Sequence, residues 1–254
     1  MTRAIVIHET GGPDVLRQED LPVGEPGPGE VSIRHTAIGL NFIDTYQRSG
    51  LYPMQTPFVG GNEGAGVVTA VGPDVPEFGV GDRVAYQGTP GAYAEERIAP
   101  AQRLVRVPDG ISDEVAAGIM LKGLTAYYLL FQTWPVQAGQ TLLWHAAAGG
   151  TGLIATQWAK ALGATVIGTA SGVVSIPDLT VLARKGSLIV TRPTSNAYLG
   201  RREDLLEGAA ALFQAVLDGS IKVEIGRTYR LGEVAAAHRA LEGRETTGSV
   251  VLLP

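Results

Sequence analysis

A glycine-rich turn stands near the middle of the chain, between a run that resembles a buried strand and a run that resembles a helix. Residues 141–146 are apolar, and residues 153–162 carry apolar side chains at helical spacing. Ala147, Gly149 and Gly152 occupy the three small-residue positions of a dinucleotide fingerprint. Small residues suit a pyrophosphate because the backbone must approach it closely and a helix N-terminus must point its free N–H groups at the anion. The same glycines also fit an ordinary tight turn, but the strand, helix and second strand around them favour nucleotide binding.

The end of the second strand of this unit indicates which nucleotide is preferred. Enzymes that use NAD place an acidic residue about 20 positions after the first glycine, where it bonds the ribose hydroxyls. No acid stands there in this chain, and Ser171 leaves room for a 2′-phosphate, which favours NADPH. Arg184, Lys185 and Arg244 are candidates for pairing with that phosphate, and the sequence does not choose among them.

A second group of candidate residues lies near the N-terminus. Asn41 is predicted to cap a short helix over residues 42–48. With Tyr46 and Tyr52 it would form a polar and aromatic loop able to line a substrate pocket. The alternative is a helix cap beside two half-buried tyrosines with no chemical role.

Composition narrows the class of protein. The chain has 254 residues, a formal net charge of −5 and no cysteine, which gives no sign of a nucleic-acid surface and excludes disulfides, thiol catalysis and thiolate zinc sites. No uninterrupted apolar run is long enough to cross a bilayer, and the N-terminus lacks the pattern of a signal peptide. We therefore expect a cytoplasmic protein without nucleic-acid or membrane partners.

Local patterns predict the elements around these residues. Residues 1–110 are predicted to be β-rich, with short strands that suggest a small distorted barrel. Ser112 is predicted to cap a helix that leads through residues 121–125 into another helix over residues 126–132. The remaining predictions are a strand at Gly186–Thr191, a helix from Arg201, a strand at 222–225, a helix at 232–241 and a final strand at 249–253.

Five segments together resemble the zeta-crystallin-like NADPH:quinone oxidoreductases of the medium-chain dehydrogenase/reductase superfamily. They are Gly39-Leu-Asn-Phe-Ile-Asp-Thr-Tyr, Gly60-Gly-Asn-Glu-Gly-Ala-Gly, Leu121-Lys-Gly-Leu-Thr-Ala, His145-Ala-Ala-Ala-Gly-Gly-Thr-Gly and Arg244-Glu-Thr-Thr-Gly-Ser-Val. The resemblance implies an α/β protein. It would combine a GroES-like distorted β-barrel catalytic domain (residues 1–122 and 200–254) with a shortened Rossmann-type cofactor domain (residues 123–199).

The resemblance also implies roles for individual residues. Asn41 would lie near the nicotinamide and the quinone, with Tyr46 and Tyr52 as walls of the quinone pocket. The residues implied beside the cofactor are Lys122, Thr125, Ala147, Gly149, Gly150, Thr151, Gly152, Ser171, Arg244, Thr246 and Thr247. The protein would orient the reactants while the nicotinamide supplies the hydride. Asn41, a tyrosine hydroxyl or water could meet the developing oxyanion of the quinone.

The same resemblance predicts a reaction without zinc. Zinc alcohol dehydrogenases carry a histidine ligand where Asn62 stands, and asparagine is a poor zinc ligand. The four histidines are scattered and are expected to be packed or surface residues: His8, His35, His145 and His238.

The cofactor domain is too short for a complete doubly wound fold. Only 54 residues separate the start of the first strand, Thr141, from Thr194 inclusive, whereas one βαβ unit takes about 30 residues. Strands three to five have no counterpart, and the break falls at Ala170-Ser171-Gly172. The sequence leaves open a deletion, a chain assembled from parts of a longer one, and an independent small fold.

Two consequences are expected from the short middle. NADPH should bind more weakly than in an intact relative, and a second subunit could cover the exposed sheet edge through the strand Ser187–Val190, giving a homodimer. The alternatives to a quinone reductase are an alkenal or enoyl reductase and a folded scaffold without activity.

Overall fold

The computed structural model describes residues 1–169, 180 and 190–254 of the chain. The strands are β1 (Thr2–Ile7), β2 (Leu16–Leu21), β3 (Glu30–Leu40), β4 (Phe58–Val59), β5 (Glu63–Val71), β6 (Arg83–Gln87), β7 (Glu96–Pro100), β8 (Leu104–Arg106), β9 (Thr141–Trp144), β10 (Thr165–Gly168), β11 (Ile225–Arg230) and β12 (Ser249–Leu253). The helices are α1 (Phe42–Ser49), α2 (Asp113–Tyr127), α3 (Gly150–Ala161), α4 (Ser195–Leu199), α5 (Arg202–Leu217) and α6 (Val234–Glu242).

The largest sheet is built around β3. It follows the order β11-β12-β3-β5-β6-β8, and β7 also pairs with β3. Only the β11–β12 pair is parallel. The side chains of Val31, Ile33 and Ile38 are fully buried, as expected for the central strand of a sheet that packs on both faces.

The N-terminal strands form a smaller sheet beside the first. It has the order β2-β1-β4 and meets the rest of the domain at a bridge between Ala4 and Ala94. The predicted strands near residues 4–8, 31–36, 66–72 and 82–86 are confirmed by β1, β3, β5 and β6. In the part of the chain that is described, these strands form open sheets and do not close into a barrel.

Helix α2 packs under the large sheet and joins the two halves of the molecule. Its N-cap is Ser112, whose side chain accepts a hydrogen bond from the backbone N–H of Val115, so the predicted start is confirmed. The predicted division into two helices is wrong, because α2 runs through Gly123 and continues as a π-helical turn over Tyr128–Thr133. A Cβ on Gly123 would lie 2.5 Å from Leu212. This glycine therefore permits close packing of α2 on α5.

The segment Asp113–Thr133 is the one described helix that is long and apolar enough to span a bilayer by length and composition. Most of this segment is buried within the fold. Its neighbours are strands of the large sheet and helices α3 and α5, which is the setting of a core helix.

The described part of the predicted cofactor domain contains β9, α3 and β10. The two strands are parallel, with Leu143 opposite Ile167, and Gly163 follows α3 with a φ of +85°, as the sequence predicts. Leu143 and Ile167 are 60% and 55% exposed, so one face of this two-stranded sheet carries exposed apolar side chains. Of the predicted strand Gly186–Thr191, residues 186–189 lie outside the described part, and Val190 and Thr191 are not in a strand.

The C-terminal segment returns to the first sheet. Strand β12 pairs antiparallel with β3, with Val251 opposite Gly39, and it confirms the predicted strand at 249–253. Strand β11 begins at Ile225, so the predicted strand at 222–225 lies too early. This return agrees with the proposal that residues 200–254 belong with the first domain; the domain boundaries themselves remain a prediction.

Candidate functional site

The glycine turn after β9 has the close packing that the fingerprint requires. Gly149 is the N-cap of α3, and Ala146 adopts a φ of +54°. A Cβ on Gly152 would collide with the carbonyl oxygen of Ala146 and lie 2.7 Å from Cα of Ala147. Because the first N–H groups of a helix have no intrahelical acceptor, the turn presents Gly150, Thr151 and Gly152 as potential anion donors.

Lys122 lies directly against this turn. A Cβ on Gly150 would come within 2.8 Å of Cδ of Lys122, and the lysine side chain is buried. Gly150 also lines a small cleft of about 70 Å³ together with Gly248 and Ser249. The helix N-terminus is therefore approached both by α2 and by the start of β12.

The Lys122 ammonium is held by a buried carboxylate, Glu63. The Nζ of Lys122 donates to Oε1 of Glu63 at 3.2 Å and to the carbonyl oxygen of Gly118 at 3.2 Å. The amide Nδ2 of Asn41 donates to the same Oε1 at 2.7 Å, and the backbone N–H of Leu121 donates to Oε2 at 2.6 Å. Two predicted site residues, Asn41 and Lys122, thus meet at one carboxylate.

A second buried carboxylate, Asp44, lies on α1 one turn from Asn41. It accepts hydrogen bonds from the backbone N–H of Asn41 at 2.7 Å, from Nδ2 of Asn62 at 2.6 Å and from the hydroxyl of Tyr93 at 3.1 Å. Burial raises the pKa of Asp44 to about 6, and the hydrogen bond from Asn62 opposes that shift. Asn62 also donates to Gln47 at 2.6 Å, so its amide serves this network.

The network continues to the C-terminal helix. The hydroxyl of Tyr93 lies 3.1 Å from Nε2 of His238, and Nδ1 of His238 lies 3.2 Å from Nη1 of Arg48. Arg48 also forms two hydrogen bonds with Glu242, at 2.7 and 3.1 Å. Because Arg48 can only donate, Nδ1 of His238 is an acceptor and the ring is neutral. Burial, with the charge of Arg48, lowers the pKa of His238 to about 3.

The two predicted pocket tyrosines are brought together at the end of α1. The rings of Tyr46 and Tyr52 are 5.4 Å apart, and the ring of Phe42 lies 6.2 Å from that of Tyr46. Tyr52 is 40% exposed, so the aromatic cluster is open to solvent. The Nη2 of Arg192 donates to the Tyr52 hydroxyl at 3.3 Å, and within residues 1–169, 180 and 190–254 Arg192 forms no salt bridge.

The other predicted cofactor residues are less well assembled. The hydroxyl of Thr125 donates to the carbonyl oxygen of Leu121 within α2 at 2.7 Å. Arg244 and Thr247 are exposed and Thr246 is half-buried, while the chain reaches the glycine turn just after them, at Gly248. Ser171, with the alternative phosphate partners Arg184 and Lys185, lies outside the described residues.

The histidines are placed as packed or surface residues. His8 lies 2.6 Å from Glu19 at the surface, and His145 lies 3.1 Å from Oγ1 of Thr169. His35 is buried between the carbonyl oxygen of Ala94 and the hydroxyl of Tyr86, and burial lowers its pKa to about 4. Across the described ranges, no group of three or more His, Cys, Asp or Glu side chains could hold a metal ion.

Sequence reasoning missed Glu63 as a site residue, although it lies in the Gly60–Gly66 motif. A fully buried glutamate needs donors around it, but those donors come from residues 22 and 59 positions away. The available signal was an acidic residue in a run of small and apolar residues that was otherwise typical of a buried strand.

Comparison with known proteins identifies the family. Residues 27–109 match the family profile "Alcohol dehydrogenase GroES-like domain", and residues 140–252 match "Zinc-binding dehydrogenase". The chain is 42% identical to a quinone oxidoreductase of Pseudomonas aeruginosa over 325 positions, which cover all of both chains. It is 39% identical to a 2-haloacrylate reductase of a Burkholderia species, covering all of this chain and 99% of that protein.

A solved relative shows the same fold with its cofactor. The Escherichia coli quinone oxidoreductase complexed with NADPH superimposes with a TM-score of 0.94 at 36% identity, covering 99% of this chain and all of that one. The P. aeruginosa alignment spans 325 positions against 254 residues here, a difference of 71. The chain therefore belongs to the quinone oxidoreductases of the medium-chain dehydrogenase/reductase superfamily.

Proposed function

We propose that this protein is an NADPH-dependent reductase that transfers hydride to quinones without a metal ion. The glycine turn would bind the diphosphate, and Asn41, Tyr46 and Tyr52 would face the reacting groups. NADPH supplies the hydride when it is bound. Together with one proton, that hydride reduces the quinone by two electrons to the hydroquinone.

The observation that carries this proposal is the contact between the glycine turn and the Glu63 cluster. The turn packs too tightly at Gly152 for a side chain, and its helix terminus offers free N–H groups. Lys122 links that terminus to Asn41 through one shared carboxylate. A diphosphate at the turn would therefore lie beside the residues proposed to face the nicotinamide.

The protein's own residues would act by positioning and by electrostatics. The N–H groups at the start of α3 and the nearby Lys122 ammonium would attract the diphosphate. The Tyr46 and Tyr52 rings would offer an apolar surface for a planar acceptor, and their hydroxyls could donate to the oxygen that gains charge. Asn62 bonds to Asp44 and Gln47, which supports the proposal of zinc-free chemistry.

The test measures NADPH binding and quinone-dependent NADPH oxidation with 1,4-benzoquinone as the acceptor. Gly152→Ala should raise the NADPH dissociation constant at least about tenfold, or about 1.4 kcal/mol, because its Cβ collides with the turn. Gly12→Ala is the matched control, since a Cβ there meets nothing within 4 Å, and it should leave binding unchanged. A folded protein that neither binds nor oxidises NADPH would instead be a deletion variant without activity, which is the competing proposal.

Arg192 supports a second candidate, reduction of a carbon–carbon double bond conjugated to a carboxylate. Its guanidinium reaches the Tyr52 hydroxyl and has no acidic partner among the described residues, so it could pair with an anionic acceptor. The Burkholderia relative is named a 2-haloacrylate reductase. An alkenal or enoyl reductase would share this cofactor site, and the ratio of kcat/KM for 2-chloroacrylate and for 1,4-benzoquinone separates the two candidates.

We further propose that the protein works in the cytoplasm as a homodimer. The lack of cysteine fits a reducing compartment, and the exposed apolar face of the β9–β10 sheet gives a reason for a second subunit. Sedimentation at micromolar protein would test the dimer. The expected contact through Ser187–Val190 falls mostly outside the described residues.

A further inference from the structure

Glu63 is the most deeply buried carboxylate with a link to the proposed cofactor site. Its exposure is 0%, and it stands at the first position of β5. Three donors surround it: the Asn41 amide, the Lys122 ammonium and the Leu121 backbone N–H. These donors come from the start of α1 and from the middle of α2, so Glu63 joins two elements that are distant in the chain.

The surroundings of Glu63 suit a carboxylate better than a carboxamide of the same size. A Cβ on Gly39 would collide with Oε1 of Glu63 and with the carbonyl oxygen of Ala117, so the glycine leaves the space that Glu63 fills. A carboxylate accepts at both oxygens, whereas a carboxamide has one accepting oxygen and one donating nitrogen. Glutamine at this position would therefore leave at least one of the three donors facing another donor.

The same contacts fix the orientation of the Asn41 side chain. An ionised carboxylate can only accept, so an amide beside it must present its nitrogen rather than its oxygen. Because Glu63 is that neighbour at 2.7 Å, the NH₂ group of Asn41 points at the carboxylate. Lys122 is fixed in the same way, with two of its three hydrogens directed to Glu63 and to Gly118.

We propose that Glu63 is a positioning residue that holds Asn41 and Lys122 as one unit beside the glycine turn, and so sets the affinity for NADPH. The inference rests on the proposed function, because it concerns the same cofactor site. The Lys122 side chain contacts Gly150 at the start of α3, so a change at Glu63 reaches both the turn and Asn41. Glu63 itself acts through these two residues.

The test is a double-variant cycle on NADPH binding with Glu63→Gln and Asn41→Ala. Each single variant should raise the dissociation constant about tenfold or more. The double variant should fall short of the product of the two changes by at least about threefold, because residues of one network are coupled. Tyr93→Phe is the matched control, since it removes a buried hydrogen bond to Asp44 but none of the three hydrogen bonds to Glu63, and it should leave the dissociation constant within about twofold of the wild type.

A purely structural role gives different results. Glu63→Gln and Tyr93→Phe would then lower the melting temperature together, with unchanged NADPH binding or with effects of Glu63→Gln and Asn41→Ala that simply multiply. Either result overturns the proposal.

A measurement on the wild-type protein without cofactor keeps the proposal testable if Glu63→Gln does not fold. The side-chain NH₂ of Asn41, assigned by its loss in Asn41→Ala, should exchange with solvent at least about tenfold more slowly than that of exposed Asn196. Rapid exchange would overturn the positioning role. If wild-type protein does not bind NADPH but shows slow exchange, the proposed function fails while the fixed geometry of Asn41 stands.

Discussion

The sheet around β3 and the sheet around β9 hold the two halves of the candidate site, and they differ in how fully their strands are covered. Strand β3 has partners on both sides, and its inward side chains are fully buried. Strand β9 pairs only with β10 among the described strands, and Leu143 and Ile167 stay more than half exposed. Tertiary contacts therefore hold the Asn41 side, whereas the glycine turn is held mainly by the local strand–turn–helix geometry.

This difference explains how the Glu63 cluster can be complete in a chain of 254 residues. The Glu63 cluster needs only β3, β5, α1 and α2, all of which are present. We expect NADPH binding to need further strands of the Rossmann sheet as well, and the alignment with the P. aeruginosa enzyme spans 71 more positions than this chain has residues. We therefore expect NADPH to bind far more weakly than in that relative, and a parallel titration of the two proteins would detect it.

One of the two largest expected effects is a loss of folding stability from Gly39→Ala. Its Cβ would overlap the side chain of Glu63 and the backbone of Ala117, and neither can move without breaking the buried cluster. We expect a loss of about 3 kcal/mol in the free energy of unfolding, measured in urea. Gly12→Ala, which meets open space, should change it by less than about 0.5 kcal/mol. A Gly39→Ala protein as stable as the wild type would show that this close packing does not hold the region around β3.

Two leucine truncations test the same contrast directly. Leu124 is fully buried in the core under the large sheet, whereas Leu143 on β9 is 60% exposed. Leu124→Ala should cost about 2–5 kcal/mol of stability, while Leu143→Ala should change it by about 0.5 kcal/mol or less. A cost above about 2 kcal/mol for Leu143→Ala would mean that β9 is covered in solution, for example by a second subunit.

Local patterns predicted the elements well where the deciding interactions are local. Ser112 and Asn41 cap α2 and α1 as expected, and Gly163 ends α3 with a positive φ. The predicted division of α2 into two helices is wrong, because Gly123 does not interrupt the helix. It instead makes room for Leu212, and that packing partner lies 89 positions away in the chain.

The candidate site was predictable in part for the same reason. The glycine turn is a local motif, and Tyr46 and Tyr52 are close in the chain, so their assembly follows from short-range geometry. Asp44, Tyr93, His238 and Arg48 are linked by tertiary contacts that span up to 190 positions, and Glu63 meets Lys122 across 59 positions. Periodicity in the sequence carries no signal for such pairings.

The buried side chains of His35 and His238 predict how the free energy of unfolding depends on pH. The folded pKa of His238 is about 3 and that of His35 about 4, both below the ordinary value of 6.5. The stability that the two histidines contribute is complete above pH 6.5 and is lost as the pH falls through these folded pKa values. The reason is that the unfolded chain binds more protons than the folded chain in this range. Asp44 acts in the opposite direction, since its folded pKa of about 6 exceeds 3.8, so its contribution is present at low pH and lost as pH rises.

Between about pH 4 and 6, unfolding takes up two protons at the histidines and releases one at Asp44, which is a net uptake of one proton. Stability should therefore rise by about 1.4 kcal/mol per pH unit in that window. His238→Gln should remove one histidine proton and make the dependence nearly flat, as followed by urea unfolding at several pH values. An unchanged slope in His238→Gln would show that His238 titrates normally and that its contacts with Tyr93 and Arg48 do not persist.

The smallest expected effect concerns Arg192, whose guanidinium donates to the Tyr52 hydroxyl in the exposed aromatic cluster. Its charge is exposed and thus screened, so pairing with a substrate carboxylate should be worth about 1 kcal/mol or less. Arg192→Gln should lower kcat/KM for 2-chloroacrylate by about three- to fivefold and leave that for neutral 1,4-benzoquinone unchanged. Added salt should also lower the ratio of kcat/KM for 2-chloroacrylate to that for 1,4-benzoquinone in the wild-type protein. Screening weakens the attraction between Arg192 and a carboxylate but not the ring contacts of Tyr46 and Tyr52. Equal losses for both acceptors would assign Arg192 to support of the Tyr52 hydroxyl, and the distinction between the two candidate substrates would then have to come from the tyrosine pair.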